Sequence, residues 1–524
     1  METIISRNPA TGATLRQIEQ TSLDEIPLMI DRARKAQQAW AQLPASTRTT
    51  YFINAREYIL DNIDVIADLI TQENGKPKFE AIVNDILPTL DLLTQYAKKA
   101  PRLLRPQRIP LRLMKHRQSH IHYWPKGVVA IISPWNYPFS IPLGEIALAL
   151  IAGNAVVFKP SEVTPLIGLK IVEIFEQAFL PKDLLQVVIG DGRRGAALVK
   201  SDVDKICFTG SVATGKKVMA AASDNLTPVL LELGGKDPMV VLPDADIDLA
   251  TSAALWGGFS NSGQACASVE RIIVHASIHD QFVKVLSQKV ATLRHGAPIV
   301  DADLGVATYE KQKAIYADQL AELNPDNSQI LCGGKFSTDR RYLEPTIVAN
   351  PAGREDCPIE LTKIYREETF GPVVAVTKYN TIREAIDKAN DTKFGLLASV
   401  FGKDATLAEQ VAKEIHAGSV LINEVMYTHG LAETPWGGIK ESGFGRVHSD
   451  LGFLEFVNIK HVHKPAPWVV PFKSLWWFPY TPHQMLLFRF FMEAMFRRSF
   501  MRKLKAVPSL LVELVNVVKR EKRI

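Results

Sequence analysis

Cys266 is the side chain around which the chemistry of this 524-residue chain can be arranged. It lies in Asn-Ser-Gly-Gln-Ala-Cys-Ala-Ser-Val-Glu-Arg (261–271), with Ala265 and Ala267 beside it and Gly257, Gly258, Ser260, Ser262 and Gly263 leading up to it. An electrophile can reach a thiol framed by small residues, and the N–H groups of such a loop can face a developing oxyanion. The stretch equally fits a buried core cysteine, since free Cys is among the most buried residue types. Glu232 follows an apolar run and precedes Gly234-Gly235, a setting where desolvation raises a carboxyl toward neutrality and suits it to act as a base. It also fits a strand-end carboxylate capping the next turn. Asn136, in Pro-Trp-Asn-Tyr-Pro (134–138), can offer an amide to an oxyanion or simply occupy a turn.

The elements that must position these residues change in texture along the chain. From Leu23 to Lys99 the periodicity is helical, with Ile26, Met29, Ile30 and Ala33, then Ile59, Ile63, Ile66 and Ile70. Arg102 to His122 is basic, punctuated by Pro, and reads as an edge hairpin or an arm toward another subunit. From Gly127 short apolar runs alternate with helix-length stretches: 128–132, 155–158, 185–189, 205–208 and 229–231. Further runs follow at 272–274, 347–348, 373–376, 398–401 and 419–422. This pattern predicts an α/β fold with two lobes, each built on a mostly parallel sheet covered on both faces.

Two Gly-rich loops compete as phosphate sites. Gly190–Gly195 matches GxGxxG after a strand-like run, but the ribose-binding acid expected about 20 residues later is not well placed, which favours a plain strand-to-helix turn. Phe208-Thr209-Gly210-Ser211-Val212-Ala213-Thr214-Gly215 opens a helix and could cradle a phosphate on its N–H groups.

Composition bounds the rest. Hydrophobic residues make up 47% and charged residues 22%, as in an ordinary globular protein of two or three domains. Cys207, Cys266, Cys332 and Cys357 are scattered, with no CxxC pair and no metal-ligand spacing, so a reducing compartment without structural zinc is expected. No signal peptide is read at the N-terminus, and a cytoplasmic enzyme is expected. From Lys464 onward there are 12 Lys and Arg against 3 Asp and Glu, whereas the preceding 463 residues balance at −4. An acidic body with a basic tail excludes a nucleic-acid-binding core.

Seven elements occur in one order: PWNYP (134–138), FKPSE (158–162), FTGSxxxG (208–215), LELGGK (231–236), GQACxxxxR (263–271), EETFGP (367–372) and PWGGIKESGFGR (435–446). Together they resemble the NAD(P)-dependent aldehyde dehydrogenase superfamily, from about Arg7 to His463. The resemblance implies a cofactor domain (1–109 and 124–234), a catalytic domain (235–445), a small β bridging element (110–123 and 446–463) and a homodimer or homotetramer. It implies Cys266 as the nucleophile that forms a thiohemiacetal and then a thioester, Asn136 and the Cys266 N–H as the oxyanion site, and Glu232 as the base for thioester hydrolysis. Trp135, Lys159, Glu162, Gly210, Ser211, Glu368 and Phe370 fall at cofactor positions. A carboxylate at Glu162 favours NAD, with NADP as the alternative. Tyr137, Ile141 and Trp436 fall in the substrate tunnel, and their apolar character suits a medium- or long-chain aliphatic or an aromatic aldehyde.

Residues 464–524 have no counterpart in that family core. Trp468, Phe472, Trp476, Trp477, Phe478 and Tyr480 form an aromatic cluster, and Met485–Lys505 reads as one amphipathic helix, followed by a further apolar turn, 507–518. Arg489, Glu493, Arg497 and Arg498 interrupt it well short of the roughly 20 apolar residues a membrane span needs. Aromatic and basic residues together predict monotopic attachment to a membrane surface, against packing on the body or on a second subunit. The rival functions are a CoA-acylating dehydrogenase, which Glu232 argues against, and a catalytically silent scaffold. A cysteine hydrolase is weaker, since no His lies in a recognisable pairing motif with Cys266.

Overall fold

The computed structural model describes residues 2–296, 302–353, 358–469, 473–478 and 480–521. Cys357 and Phe472 lie outside them. The chain forms two compact units: Met1–Pro106 with His122–Lys460, and Gln107–Ile121 with His461–Ile524.

The first unit opens with an antiparallel hairpin, Thr3–Arg7 and Thr14–Glu19. Sequence reading missed it because both strands are mostly exposed and lack an apolar alternation to mark a buried face. Helices Glu25–Gln42, Ala45–Asp61, Ile63–Asn74 and Leu87–Leu103 follow, as the periodicity predicted. Ile26, Met29, Ile30 and Ala33 form the buried stripe of the first helix, and Trp40 on the same helix is anchored by Nε1 donating to the Leu150 carbonyl at 2.7 Å. The third helix ends at Gly75, in the left-handed region at φ 89°, where a Cβ would lie 2.4 Å from Val306. A π-helical stretch, Ala81–Ile86, precedes the fourth long helix.

Two sheets organise the remainder of this unit. The first has six strands in the order Gly443–Phe444, Val229–Glu232, Lys205–Thr209, Val128–Ile132, Ala155–Lys159, Leu185–Val187. All pairs whose register is defined are parallel except Gly443–Phe444 against Val229–Glu232. The second has seven strands in the order Gln329–Cys332, Thr346–Ala349, Val373–Tyr379, Val269–His275, Asp237–Val241, Leu397–Phe401, Ser419–Ile422. Only its first pair is antiparallel. The α/β reading with two parallel-sheet lobes is what the structure has. Strands 128–132 and 155–159 are buried at every position, which is why 128–132 and 155–158 read as unbroken apolar runs.

In the second unit Gln107–Ile109 pairs antiparallel with the start of Arg117–Pro125, and Val457–Pro465 completes a three-stranded sheet as its other edge. Ser119 Oγ and His463 Nδ1 are 2.7 Å apart, and the Ala466 N–H donates to the His116 carbonyl at 2.9 Å. The tail holds two helices rather than the single one expected. Pro482–Phe496 begins with a reciprocal capping box between Thr481 and Gln484, and Phe500–Glu521 follows a break at Arg497–Ser499. Pro508 lies inside the second helix, within the segment read only as an apolar turn. The two helices are tied by His483 Nδ1 and Glu513 Oε2 at 2.8 Å.

Candidate active site

Strand order fixes the location of the site. The first sheet starts at its central strand 128–132, runs outward to 185–187 on one side, then returns to 205–209 on the other, so a crevice opens between 128–132 and 205–209 at their carboxyl ends. Such a switch point is where doubly wound sheets bind ligands. Trp135 and Asn136 follow the first of these strands and Gly210 and Ser211 the second, while Lys159 and Glu232 close two neighbouring strands. Six residues singled out by motif are therefore gathered along one edge of one sheet.

Cys266 approaches the same edge from the second sheet, three residues before strand Val269–His275. The close approach explains the glycines of LELGGK. A Cβ on Gly235 would sit 2.4 Å from the Cys266 carbonyl, and one on Gly234 would sit 2.3 Å from a Glu368 oxygen. Ahead of Cys266 the backbone turns sharply, with Asn261 and Ser262 both left-handed at φ 51° and 54°. Buried polar groups hold that turn. Asn136 Nδ2 and Asn261 Nδ2 each donate to the Gln264 carbonyl at 3.1 Å, and the Asn261 N–H and Ser260 hydroxyl donate to Glu80, both at 2.9 Å. The Asn136 carbonyl accepts from Asn261 Nδ2 at 3.0 Å and from Lys76 Nζ at 2.8 Å.

Lys76 is in turn paired with Asp85 at 2.7 Å, both side chains fully buried. Asp85 also receives the Ser140 N–H at 3.1 Å and so ties the pair to the start of helix Ser140–Ile151. Removing one partner of a buried pair strands the other charge, at a cost of about 3–5 kcal/mol. Lys76→Met is accordingly expected to lower the denaturation midpoint strongly and to loosen Asn136; a chemical-denaturation curve matching the unaltered chain would contradict this.

Two cavities meet at Cys266. The larger, 540 Å³, has Cys266 in its wall together with Tyr137, Trp256, Val83, Leu87 and Met426. The π-helical stretch supplies Val83 and Asn84. No Lys or Arg is among its described lining residues, whereas Asp91 and Glu433 are. The smaller, 20 Å³, lies on the other side, lined by Cys266, Glu232, Glu145, Thr209, Ile141 and Trp436 among others. Tyr137 thus lines the large cavity, while Ile141 and Trp436 line the small one beside Glu232.

The electrostatics are those of a buried pocket rich in carboxyl groups. Burial, reinforced by Asp237, Glu232 and Glu368, pushes the Cys266 thiol up, so the thiol is its resting form. Glu232 is 5% exposed, and neither carboxyl oxygen has a hydrogen-bond partner. Burial and then Glu145 hold its carboxyl well above the usual range, with Arg446 opposing them. Burial likewise pushes Glu368 up to about 8, against the Gly235 N–H that donates to it at 3.0 Å.

The cofactor positions can be tested against a dinucleotide. Lys159 is buried with Nζ 3.7 Å from the Glu162 carboxylate, which is 40% exposed and open to a ribose diol. Ser211 caps helix Val212–Ala222 through its hydroxyl, on Thr214 N at 3.3 Å, so a diphosphate there meets N–H dipoles and no like charge. The rival loop at 190–195 differs. Its helix is already capped by the Asp191 carboxylate, which accepts the Arg193 N–H and pairs with the Arg193 and Arg194 guanidinium groups, so these donors are engaged within the loop. Trp135 meets the Phe370 ring edge-on at 5.5 Å, and Glu270 holds the Thr369 and Phe370 N–H groups at 2.8 and 2.9 Å. These residues fit NAD(P).

A family model described as the aldehyde dehydrogenase family matches residues 1–462. The chain belongs to the aldehyde dehydrogenase family. It is 37% identical over 462 residues to a 4,4'-diapolycopene aldehyde oxidase of Methylomonas sp, covering 87% of this chain and 84% of that protein. Among solved structures it resembles a betaine aldehyde dehydrogenase of Staphylococcus aureus in complex with NAD+, with TM-score 0.84, 32% identity and coverage of 91% and 93%. It also resembles an NADP-dependent enzyme of E. coli, with TM-score 0.84, 31% identity and coverage of 89% and 95%. The enzyme is an oxidoreductase that acts on aldehydes with NAD(P).

Several residues of the aldehyde dehydrogenase site carried no signal in the sequence. Lys76 and Asp85 look like ordinary helix-surface charges, and Glu80 and Glu270 like solvated acids. His429 and His448 border the small cavity as neutral imidazoles, lowered by burial to about 4 and about 3. Asn261 and Gln264 stood inside the cysteine motif, where two amides in a run of small residues could have been read as clamps for the loop.

Proposed function

We propose that the enzyme oxidises apolar, medium- or long-chain aliphatic, polyene or aromatic aldehydes to carboxylic acids through a thioester on Cys266. The observation that carries this reading is the 540 Å³ cavity ending at Cys266, apolar in most of its lining and without a described cation to pair with a substrate carboxylate. The similar enzyme named for 4,4'-diapolycopene aldehyde agrees with it. Once the Cys266 thiol has lost its proton to solvent its sulfur bonds to the aldehyde carbon, and the Asn136 amide with a loop N–H holds the oxyanion. When bound, NAD(P) would supply the acceptor for the hydride that leaves the thiohemiacetal carbon, so that a thioester remains on Cys266. Trp135, Lys159, Glu162, Gly210, Ser211, Glu368 and Phe370 are the residues that would hold it, and Glu162 sets a preference for NAD. Glu232 then takes a proton from water as that water attacks the thioester, and the acid leaves.

The tail supports delivery from a lipid surface. No described helix is long and apolar enough to cross a membrane. Both tail helices nonetheless expose large apolar side chains, among them Met492, Phe496, Phe500, Met501, Leu511 and Val512. Trp468, Trp477 and Phe478 are exposed ahead of them, and Arg489, Arg497, Arg498, Arg502, Lys503 and Lys505 lie interspersed. That composition suits an amphipathic hairpin resting in the headgroup layer of an anionic membrane. The exposed edge strand Val457–Pro465 is suited to pair with a second copy of the chain in a dimer or tetramer.

The test is cofactor reduction across straight-chain aldehydes of increasing length, with cationic and carboxylated aldehydes alongside, in the presence and absence of anionic vesicles. A kcat/KM that climbs with chain length, and co-sedimentation of the enzyme with anionic vesicles, are expected. Preference for a carboxylated aldehyde would refute the apolar reading. Preference for a cationic one would transfer the weight to Asp91 and Glu433. Failure to sediment would refute the membrane reading alone.

A further inference from the structure

We infer that Glu145 is the proton carrier behind Glu232, receiving through Thr209 the proton that Glu232 takes from the hydrolytic water; this rests on the thioester-hydrolysis reading above. Glu145 is the lone charge in Ser140–Ile151, a helix whose every other residue is buried and mostly apolar. It is 3% exposed; its Oε1 accepts from the Thr209 hydroxyl at 3.3 Å, while Oε2 has no partner. A leucine here would spare the helix an unsatisfied buried carboxyl, so packing does not account for it.

Its surroundings connect it to the chemistry. Glu145, Thr209, Glu232 and Cys266 line the same 20 Å³ cavity, enough for about one water molecule. Thr209 and Glu232 are in register across parallel strands, which sets their side chains next to each other on one face of the sheet. The Thr209 hydroxyl already donates to Glu145 and keeps its acceptor lone pairs for a proton from Glu232. Glu145 is faced by Lys205 and Cys207 on strand 205–209, by Glu232 on 229–232 and by His448 beside Gly144, with His429, Arg446, Glu455 and Lys126 in the outer ring. Lys205, paired with the partly exposed Glu455 at 2.6 Å, is the cation that lets the Glu145 carboxyl ionise again.

In the step itself the water oxygen bonds to the thioester carbon and one water proton moves to Glu232. The carbon–sulfur bond breaks, and its electron pair leaves with the Cys266 sulfur. The proton on Glu232 then passes to Thr209 Oγ as the Thr209 proton passes to Glu145 Oε1, and Glu232 is ionised for the next turnover. Burial keeps Glu145 up at about 8, against Thr209 and Lys205, which matches a group that both takes and gives a proton near neutrality.

The test measures decay of the Cys266 acyl group after a single turnover, across pH, in the full-length enzyme and in Glu145→Gln, Glu145→Asp and Glu232→Gln. Glu145→Gln is expected to form the acyl-enzyme with full amplitude but to lose it more slowly by about tenfold. Its pH midpoint for decay should move, and Glu145→Asp should restore most of the rate. Acyl decay in Glu145→Gln with wild-type rate and midpoint, beside a stalled Glu232→Gln, would overturn the relay alone. Normal decay in Glu232→Gln would overturn the hydrolysis reading and the relay with it. Loss of acyl-enzyme formation in Glu145→Gln would assign the residue a structural role and overturn the relay.

Discussion

Cys266→Ala is expected to abolish aldehyde-dependent reduction of NAD(P), by a factor on the order of 10⁴ or more, with no loss of cofactor affinity. An aldehyde carbon is a poor reducing centre until a nucleophile makes it tetrahedral, and Cys266 is the one described thiol that borders the large cavity. Cys207 is buried inside a strand, and Cys332 belongs to the edge strand Gln329–Cys332. Neither can substitute. The loop is held by Asn136, Asn261 and Gln264 through backbone and amide groups rather than through the sulfur, so the variant should fold and still bind NAD(P). Steady-state activity within tenfold of wild type would place the nucleophile elsewhere.

Glu232→Gln is expected to lower acid formation by about 10²–10⁴-fold, the range for loss of a general base, and to leave the enzyme acylated after one turnover. The sign of the pH effect follows from the direction of its shift. A base works only when ionised, and burial with Glu145 holds this carboxyl well above the ordinary range. Deacylation in the wild-type enzyme should therefore still be climbing with pH through neutrality, instead of having levelled off near pH 5. The Cys266 thiol, also pushed up, makes acylation rise with pH too, so the two steps have to be timed separately. In Glu232→Gln the acylation limb should persist and the deacylation limb should flatten. Rapid turnover of the variant to an acyl-CoA product, only when CoA is supplied, would instead favour thioester transfer to that thiol.

What was legible in the sequence divides along physical lines. The two parallel sheets announced themselves because strands buried on both faces are apolar along nearly their whole length, as 128–132 and 155–158 are. The Gly pair at 234–235 was visible as a motif, but its cause, the Cys266 carbonyl and the Glu368 carboxylate within a Cβ's reach, needed coordinates. The N-terminal hairpin was hidden because it lies exposed and has no face to pattern. Lys76 and Asp85 escaped because a buried ion pair has the same letters as a solvated one, and only the fold brings them against Asn136. Glu145 was overlooked for the opposite reason. Its helix is so uniformly buried that one carboxyl did not break the pattern. In the tail, amphipathicity was legible but the break at Arg497–Ser499 was not, because it interrupts neither the basic nor the apolar character of the run.

In the mechanism proposed above, Cys266 carries the acyl group and Glu232 releases it. The most direct measurement is intact-protein and peptide mass spectrometry of Glu232→Gln, quenched in acid after mixing with NAD and one equivalent of a medium-chain aldehyde. One acyl group per active site is expected, lost with hydroxylamine and located on the peptide containing Cys266. An unmodified protein alongside reduced cofactor, or an acyl group on any other residue, would contradict it.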